Sequence, residues 1–289
     1  MRRLRGGLRG ADLGRAALVG AALVGAACGG PSGDSAAPVG PPAPDPTCVG
    51  LYGAPNENTG LDAETCIGTI PGDAGTWTPP AWAPADVDGL GAWTLLDPPT
   101  PPAEDPYLEA APTRDPDAVC GVLPEGEGPG AYRLETYADP SAAAAAGAWV
   151  THGGACGLCS SLEDLAVYAG ISDLTQPVRA CGLEGFFGAF EDTVSCLEGL
   201  GFTPPCARIW AYNAQHTQQE CQDTCLALLD APYHTSDGAL NDCLQCDEDE
   251  SGPVFKAVAG RTRRNSGLAT ALCRPCDTVW RVEHGYRAP

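Results

Sequence analysis

Basic side chains are scarce in this 289-residue chain: 16 Lys and Arg stand against 37 Asp and Glu, for a formal net charge of −21. So acidic a surface repels phosphate backbones and anionic lipid head groups, which excludes a nucleic-acid partner. Long apolar runs are missing too. The stretch 16–27 (AALVGAALVGAA) is twelve residues long, short of the roughly 20 that a membrane-spanning helix needs. Histidine occurs four times, as His152, His216, His234 and His284. No G-x-S-x-G, H-E-x-x-H or phosphate-cradling P-loop pattern is present, so the usual signatures of hydrolases, zinc proteases and nucleotide binders are absent.

What the chain does contain is cysteine, proline and glycine: 15, 28 and 37 residues. Arg2, Arg3, Arg5, Arg9 and Arg15 precede the apolar stretch, which ends in Gly25-Ala26-Ala27-Cys28. A basic start, a short apolar core and a small-residue end make a secretory signal. Its last four residues resemble the lipobox of bacterial lipoproteins, with Gly25 where that class usually has Leu. The resemblance implies cleavage before Cys28, a diacylglyceryl group on its thiol, and a lipid anchor on the outer membrane or cell surface of a bacterial envelope. The alternative is cleavage by the general signal peptidase, giving a periplasmic or secreted product. Removing Cys28 leaves 14 cysteines, the even number that a fully disulfide-bonded exported domain requires.

Composition divides the chain into 1–27 (signal), 28–47 (Pro- and Gly-rich tether), 48–118 (Pro-rich, loop-rich subregion) and 119–289 (cysteine-rich domain). The tether cannot bury an apolar face and is expected as a flexible, partly polyproline-II stalk. In the loop-rich subregion, Cys48 and Cys66 are expected to pair. Trp77, Trp82 and Trp93 there form either a small core or an aromatic surface for glycan.

The cysteine-rich domain is expected to be mostly α. Asp139-Pro140 can start a helix through 142–150, and Ser160 with Glu163 makes a capping-box pattern before Leu162 and Leu165. Residues 186–200 read as a helix ended by Gly201, and Pro204-Pro205 opens a long one, so the two form an antiparallel hairpin. The stretches 254–258 and 279–282 are short strand candidates. Cys221 and Cys225, one turn apart, reach neighbouring elements more easily than each other. Three C-x-x-C pairs (Cys156/Cys159, Cys243/Cys246, Cys273/Cys276) would suggest zinc in a cytosolic chain and disulfides behind an export signal.

Three segments carry candidate chemistry. His152 with Cys156 and Cys159 sits at the mouth of the helix near Ser160, where a helix N-terminus favours thiolate. Ala-Trp-Val…Cys-Gly-Leu-Cys resembles the redox site of thioredoxin-like proteins over about ten residues, without their downstream cis-proline strand. Cys156-Gly157-Leu158-Cys159 is also similar to the C-G-x-C of papain-type cysteine proteases, with Ser160 in place of their aromatic residue. Either resemblance implies a cysteine-dependent enzyme, an oxidoreductase or a hydrolase; the other reading is two ordinary half-cystines.

Asp247, Asp249, Ser251 and Gly252 match the first half of a calcium loop, but Val258 stands where the bidentate Glu belongs. The segment reads as a partial calcium site or as a solvated acidic turn. Finally, Lys256, Arg261, Arg263 and Arg264 concentrate cations in an acidic chain, with Asn265 and Ser266 as donors and His284 within reach. This arginine loop can bind an anionic glycan or small molecule, or neutralise the acids at 247–250. The function expected is extracytoplasmic binding or a structural role at the cell surface.

Overall fold

The computed structural model describes residues 51–66, 79–126, 130–275 and 278–286. The signal, Cys28, the tether, Cys48, Trp77 and Cys276 lie outside the described residues.

The elements follow in the order β1 (Leu51–Tyr52), α1 (Ala63–Cys66), α2 (Pro84–Leu90), β2 (Thr94–Leu95), β3 (Val119–Glu125), β4 (Ala131–Tyr137), α3 (Pro140–Ala145) and β5 (Trp149–Gly153). Then come α4 (Leu162–Gly170), α5 (Thr175–Phe187), α6 (Phe190–Gly199), α7 (Pro204–Ala227), α8 (Asp242–Cys246), α9 (Gly252–Ala259) and β6 (Arg274–Pro275). The expectation of a mostly α domain is therefore corrected. The architecture is mixed α/β, 45% helix and 12% strand, around a four-stranded sheet of order β2-β4-β3-β5.

β3 pairs antiparallel with β4 and β5, and β2 joins β4 in parallel. Val119 and Val122, at opposite parity along β3, face opposite sides of the sheet. Val122 and Tyr132 join the main core with Leu162, Leu165 and Ile209. Val119 joins a smaller cluster with Ala148, Trp280 and Val282 on the other side. Trp93, from the Pro-rich subregion, packs edge-on against Tyr132 and Trp149, a core residue rather than a surface platform.

The predicted capping at Asp139 holds, since its carboxylate accepts the Ala142 N–H at 2.8 Å. That helix ends at Ala145, however, and Trp149 onward is strand. The cap of α4 is Ser161, whose hydroxyl accepts the Asp164 N–H at 2.9 Å. Pro204 and Pro205 open α7, a helix of 24 residues, and the 186–200 helix is divided between α5 and α6. Residues 254–258 are helical, because Pro253 at the start of α9 puts Val254, Phe255 and Ala259 on one buried side. Residues 279–282 are irregular.

Six disulfides tie these elements among the described residues: Cys66–Cys273, Cys120–Cys156, Cys159–Cys206, Cys181–Cys196, Cys221–Cys246 and Cys225–Cys243. Cys66 pairs with Cys273 across the chain, which corrects the Cys48–Cys66 expectation. Cys221 and Cys225 each reach across to the α8 turn, as their shared helix face requires. None of these bonds joins the two cysteines of one C-x-x-C pair.

Candidate functional site

The segment around Cys156 is built for connection. Thr151 is the extra residue of a bulge in β5, because Cys120 faces His152 while Gly121 already faces Val150. His152 is wholly buried; one ring nitrogen lies 2.7 Å from Ser160 Oγ and the other 3.0 Å from the Gly153 carbonyl. Burial first, then the positive charge of Arg261, lowers its pKa well below the usual histidine range, so the ring is neutral. Cys156 and Cys159 are bonded to Cys120 and Cys206. The predicted dithiol is thus divided between two crosslinks, and the imidazole meets a serine rather than a sulfur.

Gly157 is required where this turn meets the end of α9. Leu158 and Cys159 N–H donate to the Val258 and Ala259 carbonyls at 3.0 and 2.9 Å. A Cβ on Gly157 would lie 2.4 Å from the Val258 oxygen, and Gly260 opposite it has φ +75°.

The calcium-loop reading meets a helix. Asp247–Ser251 form a π-helical turn, and their side chains diverge. Asp247 accepts from Thr217 Oγ1 at 2.5 Å and Asn213 Nδ2 at 3.1 Å. Asp249 accepts from Gln245 at 2.9 Å, and Ser251 Oγ lies 3.0 Å from His216. Among the described residues no group of three His, Cys, Asp or Glu is placed to hold a metal.

The arginine loop separates into inward and outward members. Arg261 is wholly buried and donates to the carbonyls of Cys159, Thr151 and Ser160 and to the hydroxyls of Thr151 and Ser266, all at 2.7–3.2 Å. Asn265 donates to the Gly153 and Gly260 carbonyls at 2.7 and 2.8 Å, and His284 lies 3.0 Å from the Ser266 carbonyl. Arg261 and Asn265 knit the loop to β5, and His284 ties it to the segment 278–286.

Arg264 instead joins Lys256 and Arg274 around Glu248, Lys256 at 2.7 Å and Arg264 at 3.4 Å. Burial would raise the Glu248 pKa, but the three cations outweigh it and hold the carboxyl at about 2.

Arg263 opens on a cleft of about 350 Å³ between α5, α7, the α8–α9 segment and the arginine loop. That size suits a small molecule, for which pockets run about 300–1,000 Å³. Its floor is aromatic. Trp210 packs at a tilt on Phe255, ring centres 4.4 Å apart, and donates to the Tyr168 hydroxyl at 3.1 Å, and the Arg263 guanidinium lies 5.9 Å from the Tyr168 ring centre. Burial lowers the Arg263 pKa to about 10, against Tyr168, Tyr52 and Asp173, so it stays charged at neutral pH. The mouth is apolar and exposed, with Phe186 at 38%, Phe187 at 83% and Leu226 at 47%. Exposed apolar groups clustered at a groove mark a binding surface.

Sequence reasoning found the arginine but missed the aromatic floor and the mouth. An apolar residue at i, i+3 or i+4 on a helix reads as core whether or not a neighbour covers it.

A family described as "Family of unknown function (DUF8771)" matches residues 190–282. The match takes in α6 to α9 and Arg263, so it includes Trp210, Phe255 and the cationic side of the cleft but not α5. No curated protein and no solved structure matches the chain.

Proposed function

We propose that this chain is a lipoprotein of the bacterial cell envelope, anchored through Cys28, whose disulfide-rich domain binds a small molecule with a largely apolar body. The carrying observation is the cleft of about 350 Å³ floored by Trp210 and Phe255 and opening through an exposed apolar mouth. The basic start, the apolar stretch 16–27 and the Gly-Ala-Ala-Cys sequence support export and lipidation. Six disulfides support an oxidising compartment.

Two measurements test the reading. A neutral solvatochromic dye such as Nile red should bind the purified chain with a blue-shifted emission, and Ala214→Trp, which crowds the cleft from α7, should abolish that signal while circular dichroism shows the chain still folded. An unaffected signal in a folded A214W variant rejects the cleft as the site. Mature protein from a bacterial host should carry a lipid mass on Cys28 and partition into detergent, and Cys28→Ser should release it. A mature N-terminus at any other residue rejects the anchor.

A further inference from the structure

The cleft is opposite in charge to the chain that holds it. Arg179, Lys256, Arg263, Arg264 and Arg274 line it against the two acids Asp247 and Glu248, in a molecule of net charge −21. Among the described residues Glu248 is the one carboxylate in ion-pair contact with Lys256, Arg264 and Arg274, and Asp247 acts on Lys256 at longer range, so the cations outnumber the acids on that wall. Among the described residues Arg263 makes no ion pair. Asp173 acts on it electrostatically, but that carboxylate accepts hydrogen bonds from Asn56 and Tyr233 at 2.8 and 2.9 Å.

The unsatisfied part of Arg263 is specific. Nη1 donates to the Ala269 carbonyl at 2.7 Å, whereas Nε and Nη2 are buried and have no hydrogen-bond partner among the described residues. Those two nitrogens share one edge of the guanidinium, the side-on fork that takes two oxygens of a carboxylate or phosphate. A buried charged donor without an acceptor is costly, so this edge is made for something that supplies one.

We propose that the cleft binds an amphiphile with a single anionic head, a carboxylate or phosphate monoester, held side-on by Nε and Nη2 of Arg263. Its apolar body lies along Trp210 and Phe255 and continues through the Phe186–Leu226 mouth. Both nitrogens lie beneath the cleft surface, so seating the head turns the Arg263 side chain toward the opening. The inference rests on the reading of this cleft as the binding site.

Calorimetry on the full mature chain with dodecanoate, dodecyl phosphate and dodecanol tests it at neutral pH. At least one anionic probe should bind ten-fold or more tightly than dodecanol, and Arg263→Gln should erase that preference, read as the ratio of anion to dodecanol affinity within the variant. Preference for one anion identifies the head as carboxylate or phosphate. Equal affinity for all three probes overturns the inference but leaves the cleft reading standing, since Nile red binding and its loss in A214W are separate readouts. Anion binding that survives A214W places the anion elsewhere and overturns the inference, while the dye readout still decides the cleft reading. Should R263Q fail to fold, Arg263→Lys, which keeps the charge but loses the side-on fork, takes its place, and an undiminished anion preference in either variant overturns the inference.

Discussion

Arg261 is joined to Thr151 twice, Nη1 donating to the threonine carbonyl at 3.2 Å and Nη2 to its hydroxyl at 2.7 Å. The same guanidinium holds the carbonyls of Cys159 and Ser160, so one side chain fixes the β5 bulge against the turn that follows it. Arg261→Ala would strand those acceptors in the interior. The expected loss is about 3–5 kcal/mol, the range for removing one partner of a buried, charge-assisted network. Chemical denaturation of R261A measures it, and R261K should recover only part, because an ammonium cannot reach acceptors set for a planar fork.

Cys159→Ala together with Cys206→Ala opens a loop of 47 residues in sequence separation and should lower stability by about 3–4 kcal/mol. Thermal unfolding reads this. Alkylation of the native protein without reductant should label none of the twelve cysteines in the six described disulfides. Labelling confined to Cys156 and Cys159 would restore the thiol chemistry that their spacing suggests.

Gly157→Ala sets a methyl carbon against backbone rather than a movable side chain, 2.4 Å from the Val258 oxygen and 2.6 Å from Gly260 N. The expected cost is about 2–3 kcal/mol, with the cleft still able to bind dye. Gly182→Ala serves as a control, since its Cβ would meet Ala214 Cβ at an ordinary 3.5 Å.

Stability should pass through a maximum in mildly acidic solution. Burial raises the Asp164 carboxyl to about 6, against hydrogen bonds from Ser161 and Thr203. The folded state therefore binds more protons than the unfolded chain between about pH 4 and 6, and stability rises as pH falls through that window. Glu248 acts in the opposite sense. Held at about 2 by its three cations against burial, it contributes stability above about pH 4.5 that is lost as pH falls toward 2. Melting temperatures from pH 2 to 8 check both limbs. Glu248→Gln should flatten the acid limb and cost about 2 kcal/mol at pH 7, and Asp164→Asn should flatten the neutral one.

How much of this was readable in the residues depends on how local each signal is. Pro204-Pro205 at the start of α7, Asp139 before α3 and the one-turn spacing of Cys221 and Cys225 act within a few positions, and each was legible. β3 was not, because both its faces are buried. Its VCGVLPE lacks alternation and carries Pro124 and Gly121, which argue against a strand in isolation. The arginine loop shows the same limit. Charge alone marks Arg261, Arg263 and Arg264 alike, yet the acceptors that pull Arg261 inward lie 101–110 positions away, and only the fold reveals that Arg263 faces a cleft. The α5 side chains Leu183, Phe186 and Phe187 have core spacing without a core neighbour, and spacing does not report what covers it.

The Cys66–Cys273 bond spans 207 positions and encloses in sequence the other five disulfides among the described residues. A pull on the two ends of the chain would travel through that one covalent link and bypass every helix and strand between them. If the chain is anchored through Cys28 as proposed, shear would then load a sulfur–sulfur bond while the cleft kept its shape. A protease that nicked the α5–α6 turn would release no fragment, because both pieces remain stitched to the same frame.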